Sequence, residues 1–195
     1  MLNDRSTPLA FLATRRSGKP RDLVAPGPST DELTAMIGIA ARTPDHGKLA
    51  PWRFVIVEDR DRLSALILGA RRAAAPPPTE AELAGLDQFA RQAPALVVVL
   101  SAPQPGRPIP VWEQEMSAGA ACMNLLHAAN AHGYAAGWLT GWPSMSEAVR
   151  DGFGAAPERI VGFVFVGTPS RAPEERPRPD PERVVSRWRV DETAS

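Results

Sequence analysis

A chain of 195 residues, 44% of them hydrophobic, carries enough apolar material for one core, and 22 acidic against 22 basic side chains leave no bulk charge to draw it to nucleic acid or an anionic membrane. A single cysteine, Cys122, excludes an intrachain disulfide and suits a reducing, cytoplasmic setting. No apolar run reaches the roughly 20 residues of a membrane span, and Leu9–Ala13, preceded by Asp4 and Arg5, is too short for a signal-peptide core. Proline clusters at 76–78, 103–110 and 169–181 read as loops and a C-terminal arm.

Thr7-Pro8 opens a first helix, a capping residue followed by proline at the first turn, with Leu9, Leu12 and Ala13 on its apolar side. It runs into Thr14-Arg15-Arg16-Ser17-Gly18-Lys19. This stretch reads either as two arginines at a helix C-terminus, where cations suit the macrodipole, or as an anion cradle of two guanidiniums, a hydroxyl and an ammonium. It is not a P-loop, because the first glycine of that motif is missing. Ser29 and Glu32 form a capping box for a helix with Met36, Ile37, Ala40 and Ala41 on its apolar face. Thr43-Pro44 ends that helix at Arg42, since the residue before a proline is pushed out of the α region. Phe54–Val57 then reads as a buried strand. Between helix and strand lies a loop that no core requires, holding Asp45, His46, Lys48, Trp52 and Arg53, freed by Gly47 and stiffened by Pro51. Such a loop is where binding chemistry tends to sit.

Leu63, Leu66, Ile67 and Ala70 mark the next helix, which Pro76–Pro78 stops; Thr79 and Glu82 form a second capping box, with Leu83, Leu86 and Phe89 inward. Ala95–Leu100 is a continuous apolar run expected as a central strand. The longest helix spans about 111–132 and ends at Gly133. Its Ser117–Ala121 run of small residues permits close helix–helix approach, within a subunit or across a dimer. Cys122 is a small core residue, Glu113 and Glu115 point to different sides, and His127 and His132 are poorly spaced for chelation, so no metal site is expected. Tyr134–Thr140 reads as strand then loop, with Gly137 and Gly141 allowing a ligand to approach backbone. A short helix follows at 146–153, then the strand Ile160–Val166, stopped by Gly167-Thr168-Pro169. Alternation over Val184–Val190 is a weak strand signal behind a proline-rich linker. Four strands separated by longer helices give an α/β or α+β sandwich. The chain lacks G-x-G-x-x-G and G-x-S-x-G, so neither a Rossmann site nor an α/β-hydrolase is supported.

Several segments together resemble the flavin-dependent nitroreductase family, most closely its small YdjA-like members. They are Arg15-Arg16-Ser17, Arg42–His46 with Pro51–Phe54, Trp112–Gly119 (WEQEMSAG), and Ile160–Phe163 with Gly167–Pro169. The likeness covers roughly residues 8–170 and implies an α+β, nitroreductase-like α/β/α sandwich with a mixed, mainly antiparallel sheet. It implies an FMN-binding domain over 1–170, with residues 171–195 as an arm packing on the partner of a homodimer whose FMN sites lie at the subunit interface. Carried over residue by residue, Arg15, Arg16 and Ser17 take the flavin phosphate and ribityl region. Arg42 and His46 lie in the next binding segment, and Trp138, Leu139 and Thr140 contact flavin partly through backbone. Lys19 is a candidate for the flavin N1/O2 edge, and Arg171 is a reserve candidate for the phosphate. Leu139 departs from the subgroup, which has arginine there.

The resemblance further implies a ping-pong cycle in which NAD(P)H delivers hydride to flavin N5 and a small-molecule acceptor, nitroaromatic, quinone or similar, takes the electrons from the same face. No side chain need act as nucleophile or general acid. Two other readings share the scaffold: a non-catalytic flavin-binding or sequestering protein, and an offshoot that consumes the flavin itself.

Overall fold

The computed structural model describes residues 1–188. In chain order the elements are α1 (Pro8–Thr14), β1 (Leu23–Val24), α2 (Thr30–Ala40), β2 (Trp52–Ile56), α3 (Arg60–Ala73), α4 (Glu80–Arg91), β3 (Ala95–Ser101), α5 (Val111–Ala131), β4 (Ala135–Leu139), α6 (Trp142–Met145), α7 (Glu147–Asp151), β5 (Arg159–Pro169) and α8 (Pro181–Val184).

The sheet is built around β5. It pairs with β3, which pairs in turn with β2, and also with β4 along Phe163–Gly167 and with β1 at Thr168–Pro169. Every one of these pairings is antiparallel, so the sheet is more uniform than the mixed one expected. Strand periodicity sorts the core into two layers. Val97 and Val99 of β3 and Val164 and Val166 of β5 face α2 and α5, meeting Met36, Cys122 and Leu125. Leu96, Val98 and Leu100, with Phe163 and Phe165, face Leu63 and Ile67 of α3 and Ala90 of α4. The chain is thus an α/β/α sandwich.

The caps follow the sequence with one difference. Ser29 and Glu32 make the full reciprocal capping box on α2. Thr79 caps α4 through the Glu82 N–H, but the Glu82 carboxylate turns away to Arg71, accepting at 2.8 and 3.2 Å. An ion pair to a guanidinium buried among the α3–α4 contacts outcompetes a backbone N–H. Helix α2 ends at Ala40, short of Arg42, and α7 is shorter than the helix expected over 146–153. Three elements escaped the sequence: β1, too short to show periodicity, and α6 and α8, single turns started by proline. The expected strand over 184–190 is absent from its described part, where Val184 closes α8 and 185–188 are exposed and irregular; its remainder lies outside the described residues.

Candidate functional site

The segment Arg15–Lys19 leaves α1 in extended conformation and is pinned from two sides. The Arg16 N–H donates to Asn3 Oδ1 at 2.7 Å, and the Gly18 N–H donates to the carbonyl of Ala136 on β4 at 2.8 Å. A Cβ on Gly137 would collide with the Gly18 carbonyl oxygen, so this glycine admits the neighbouring backbone.

The two arginines differ. Arg15 is half-buried, donates from Nη2 to Ser17 Oγ at 3.0 Å, and forms no ion pair among the described residues. Burial, and then the guanidiniums of Arg178, Arg16 and Arg176, push its pKa below the usual arginine range. Arginine stays charged nonetheless, so positive charge is concentrated here without a carboxylate on Arg15. Arg16 is tied to the arm: its Nε donates to the Glu174 carbonyl at 2.7 Å and lies 3.8 Å from the Glu175 carboxylate. Lys19, half-exposed, is 3.6 Å from Glu174. Arg171 is engaged by Asp22 through two donors, at 2.9 and 2.7 Å, which fastens the 3-10 turn at Pro20–Asp22. Arg178 reaches closer, donating to the Arg15 carbonyl at 3.4 Å. Under Arg15 sits His127 of α5, edge-on to Phe11 at 5.4 Å, its buried Nδ1 without a hydrogen-bond partner among the described residues. Burial, and then the charge of Arg15, depress its pKa.

Ser17, Gly18 and Lys19 face Gly137, Trp138 and Leu139 across one cleft of about 410 Å³, with Arg21 and Gln92 at its rim. The structure therefore brings two of the sequence-predicted segments together. Trp138 Nε1–H donates to the Val161 carbonyl at 3.0 Å, so its side chain is committed to the sheet and its backbone is what borders the cleft. Leu139 packs into the α3–α4 layer, and Thr140 is exposed where β4 ends.

His46 lies elsewhere, in a second cleft of about 340 Å³ between the 43–50 loop and the start of α5, which shares no residue with the first. Arg42 is exposed, lines neither cleft and has no ion pair among the described residues. The loop is held by side chains to which the sequence assigned no role. Glu113 Oε2 is 2.8 Å from His46 Nδ1, Ser117 donates to the Pro44 carbonyl at 2.6 Å, and Asn124 Nδ2 donates to Thr43 Oγ1 at 2.6 Å. These three recur along one face of α5, a spacing visible only once the loop is known to lie there. Asp45 closes the loop by accepting from the Ala50 N–H at 2.7 Å, with left-handed backbone at Gly47, Lys48 and Ala50. Trp52 and Arg53 belong to β2; Arg53 is anchored to Glu158 at 2.9 and 2.8 Å and to the Phe153 carbonyl, leaving it out of the site. Burial pushes the Cys122 thiol well above its usual range, which suits a core residue. No group of three or more potential metal ligands occurs among the described residues.

Comparison with known proteins places this geometry. Residues 12–168 match the model of the nitroreductase family. The chain is 34% identical over 182 residues to YdjA of Escherichia coli (strain K12), provisionally named an NAD(P)H nitroreductase, covering 91% of this chain and 97% of that one. A similarly named protein of Haemophilus influenzae is 34% identical over 82% of this chain and 87% of its own length. Among solved structures, a nitroreductase-like protein from Bacillus cereus superposes with a TM-score of 0.78 at 22% identity, covering 96% of this chain and 99% of that one. Iodotyrosine deiodinase, bound to FMN and 3-iodo-L-tyrosine, superposes at 0.66 and 22% identity over 92% and 97% of the two chains. A match over most of the chain, at this identity and with the same fold, establishes that the protein belongs to the nitroreductase family.

Proposed function

We propose that the protein is an FMN-dependent NAD(P)H oxidoreductase acting on nitroaromatic, quinone or related acceptors. The observation that carries this reading is the cradle at Arg15: a half-buried guanidinium with no carboxylate partner among the described residues, donating to the hydroxyl of Ser17, with further guanidiniums nearby and with Ser17 itself lining the cleft between two extended segments. A dianionic phosphate is the group such a cradle fits, because a half-buried guanidinium without a carboxylate partner is costly until an anion neutralises it. The names of the E. coli relative and of the deiodinase structure, together with family membership, point to NAD(P)H and to FMN.

Within this reading Arg15 and Ser17 hold the phosphate. Ser17–Lys19 and the backbone of Trp138–Thr140 border the rest of the cofactor, and Lys19, 3.6 Å from Glu174, places a positive charge where negative charge develops. Bound FMN would supply the hydride chemistry between NAD(P)H and the acceptor. The chain's own part is to fix the cofactor, leave one face open and surround it with positive charge.

His46 cannot join that cleft within one chain. The separation of the two clefts, and the exposed Trp112 and Met116 of α5 beside the second, at 63% and 66% exposure, support a homodimer in which the 43–50 loop of one subunit completes the site of the other.

The test is a visible spectrum of the purified protein, before and after NADPH or NADH under nitrogen. A yellow protein that bleaches with the reductant, and recovers colour on adding a nitroaromatic or quinone, is expected. Protein that neither carries nor takes up FMN would overturn the proposal. Flavin that is bound but not reduced by either nucleotide would favour a sequestering role.

A further inference from the structure

The arm that follows β5 crosses the cradle and brings its own anions. Glu174 lies 3.6 Å from Lys19. Glu175 accepts from Arg178 at 2.9 Å, lies 3.8 Å from Arg16, and also accepts from the Arg176 N–H at 2.8 Å. Asp22, by contrast, is taken up by Arg171 and the Ser170 backbone, so it fastens the root of the arm and contributes no charge to the cradle. Arg16, Arg178 and Lys19 thus each have an arm carboxylate, while Arg15 has none among the described residues.

Such an arrangement has a consequence for any anion that enters. Side chains of Glu174 and Glu175 are 80% and 54% exposed, so water reaches both and the contacts break readily. A phosphate approaching Arg15 finds Arg16, Arg178 and Lys19 already partnered, and it either displaces those carboxylates or sits beside them against their repulsion. The Arg176 N–H foremost, and then Arg178 and Arg16, hold the Glu175 carboxyl below its ordinary range, so it is fully charged at neutral pH.

We infer that Glu174 and Glu175 form a built-in competitor, an acidic strap that occupies the cations around Arg15 and sets how tightly the site takes a phosphorylated ligand relative to its unphosphorylated analogue. This deepens the cofactor reading above and rests on it. It makes the two glutamates determinants of selectivity and not ligands, and it predicts that their removal strengthens binding.

The experiment uses the full chain and its E174Q/E175Q variant, which changes two exposed side chains without altering their size. Dissociation constants of FMN and riboflavin are measured for both proteins at low and high sodium chloride. Exposed ion pairs of this kind change an equilibrium about two- to fivefold each. The variant is therefore expected to bind FMN roughly three- to tenfold more tightly at low salt, with riboflavin unchanged, and the gain is expected to shrink once salt screens the wild-type strap. Equal FMN affinity in the two proteins would overturn the strap and leave the cofactor reading intact. Weaker FMN binding by the variant would also overturn it, showing that the glutamates orient the arginines. No binding of FMN by either protein would overturn the cofactor reading and the strap together.

Discussion

Arg15 and Arg16 are adjacent and chemically identical, and nothing in their order distinguishes them. What separates them is their partners: Arg16 is spoken for by Glu174 and Glu175, Arg15 only by Ser17. Arg15→Ala is accordingly expected to weaken FMN binding roughly ten- to a hundredfold, the worth of charge-assisted hydrogen bonds of about 1.5–3 kcal/mol. Riboflavin is affected far less, and Arg16→Ala has the smaller effect on the FMN-to-riboflavin ratio. Titration of each variant with both flavins checks this; equal losses for both flavins would mean that only stability was disturbed. The same distinction limited the reading of Arg53 and Arg171. Each stands in a polar stretch, yet each is matched by a carboxylate far away in sequence, Glu158 and Asp22, that no local pattern reveals. The Arg53–Glu158 pair carries a pH signature. Hydrogen bonds from Arg53 hold the Glu158 carboxyl below its ordinary value of 4.5 against the opposing effect of burial. A depressed folded-state pKa gives stability that is present above the unfolded value and lost as pH falls through the folded one. Glu158→Gln is therefore expected to lower Tm at pH 7, and the gap from wild type should narrow below about pH 4. A gap that stays constant down to pH 3 would assign the loss to shape alone.

Helices and long strands were legible because their signals are local. Capping residues at Thr7, Ser29 and Thr79 each begin a helix where expected, and β3 and β5 read as continuous apolar runs because a helical layer covers each of their faces. Contacts between elements were not legible. Gly137 is the clearest case, since its missing side chain is explained only by the Gly18 carbonyl across the gap. Gly137→Ala should push the 15–19 segment off β4, lowering Tm and loosening both flavins alike, in contrast to Arg15→Ala. Circular dichroism melts alongside the two titrations separate these outcomes. On α5, Asn124→Ala removes the donor to the buried Thr43 hydroxyl at a cost of about 1–3 kcal/mol. The effect should be read at His46, as loss of its contact with Glu113 in histidine NMR spectra, before it is read at the first cleft.

At the scale of the molecule, two candidate clefts on one chain and apolar side chains left in water argue in the same direction. Leu9 and Leu12 of α1 are 77% and 58% exposed, and in the arm Val184, Val185 and Trp188 are 64%, 65% and 95% exposed. Removing the chain from Val184 onward is expected to lower Tm and flavin affinity together, with both becoming dependent on protein concentration in sedimentation experiments. A truncated form as stable and as flavinated as the parent would make the arm dispensable.

The place of β5 also has a bearing on how the protein is made. It is the last strand among the described residues, yet β1, β3 and β4 all pair with it. A ribosome adding about 5–20 residues each second completes the helices of both layers well before it releases the strand that unites them. For several seconds the nascent chain holds the apolar faces of α2 to α5 with the sheet between them unfinished, the interval in which a holding chaperone has most to bind. Stalled chains ending before Arg159 should be digested by added protease, and chains whose Pro169 has cleared the ribosome should resist it.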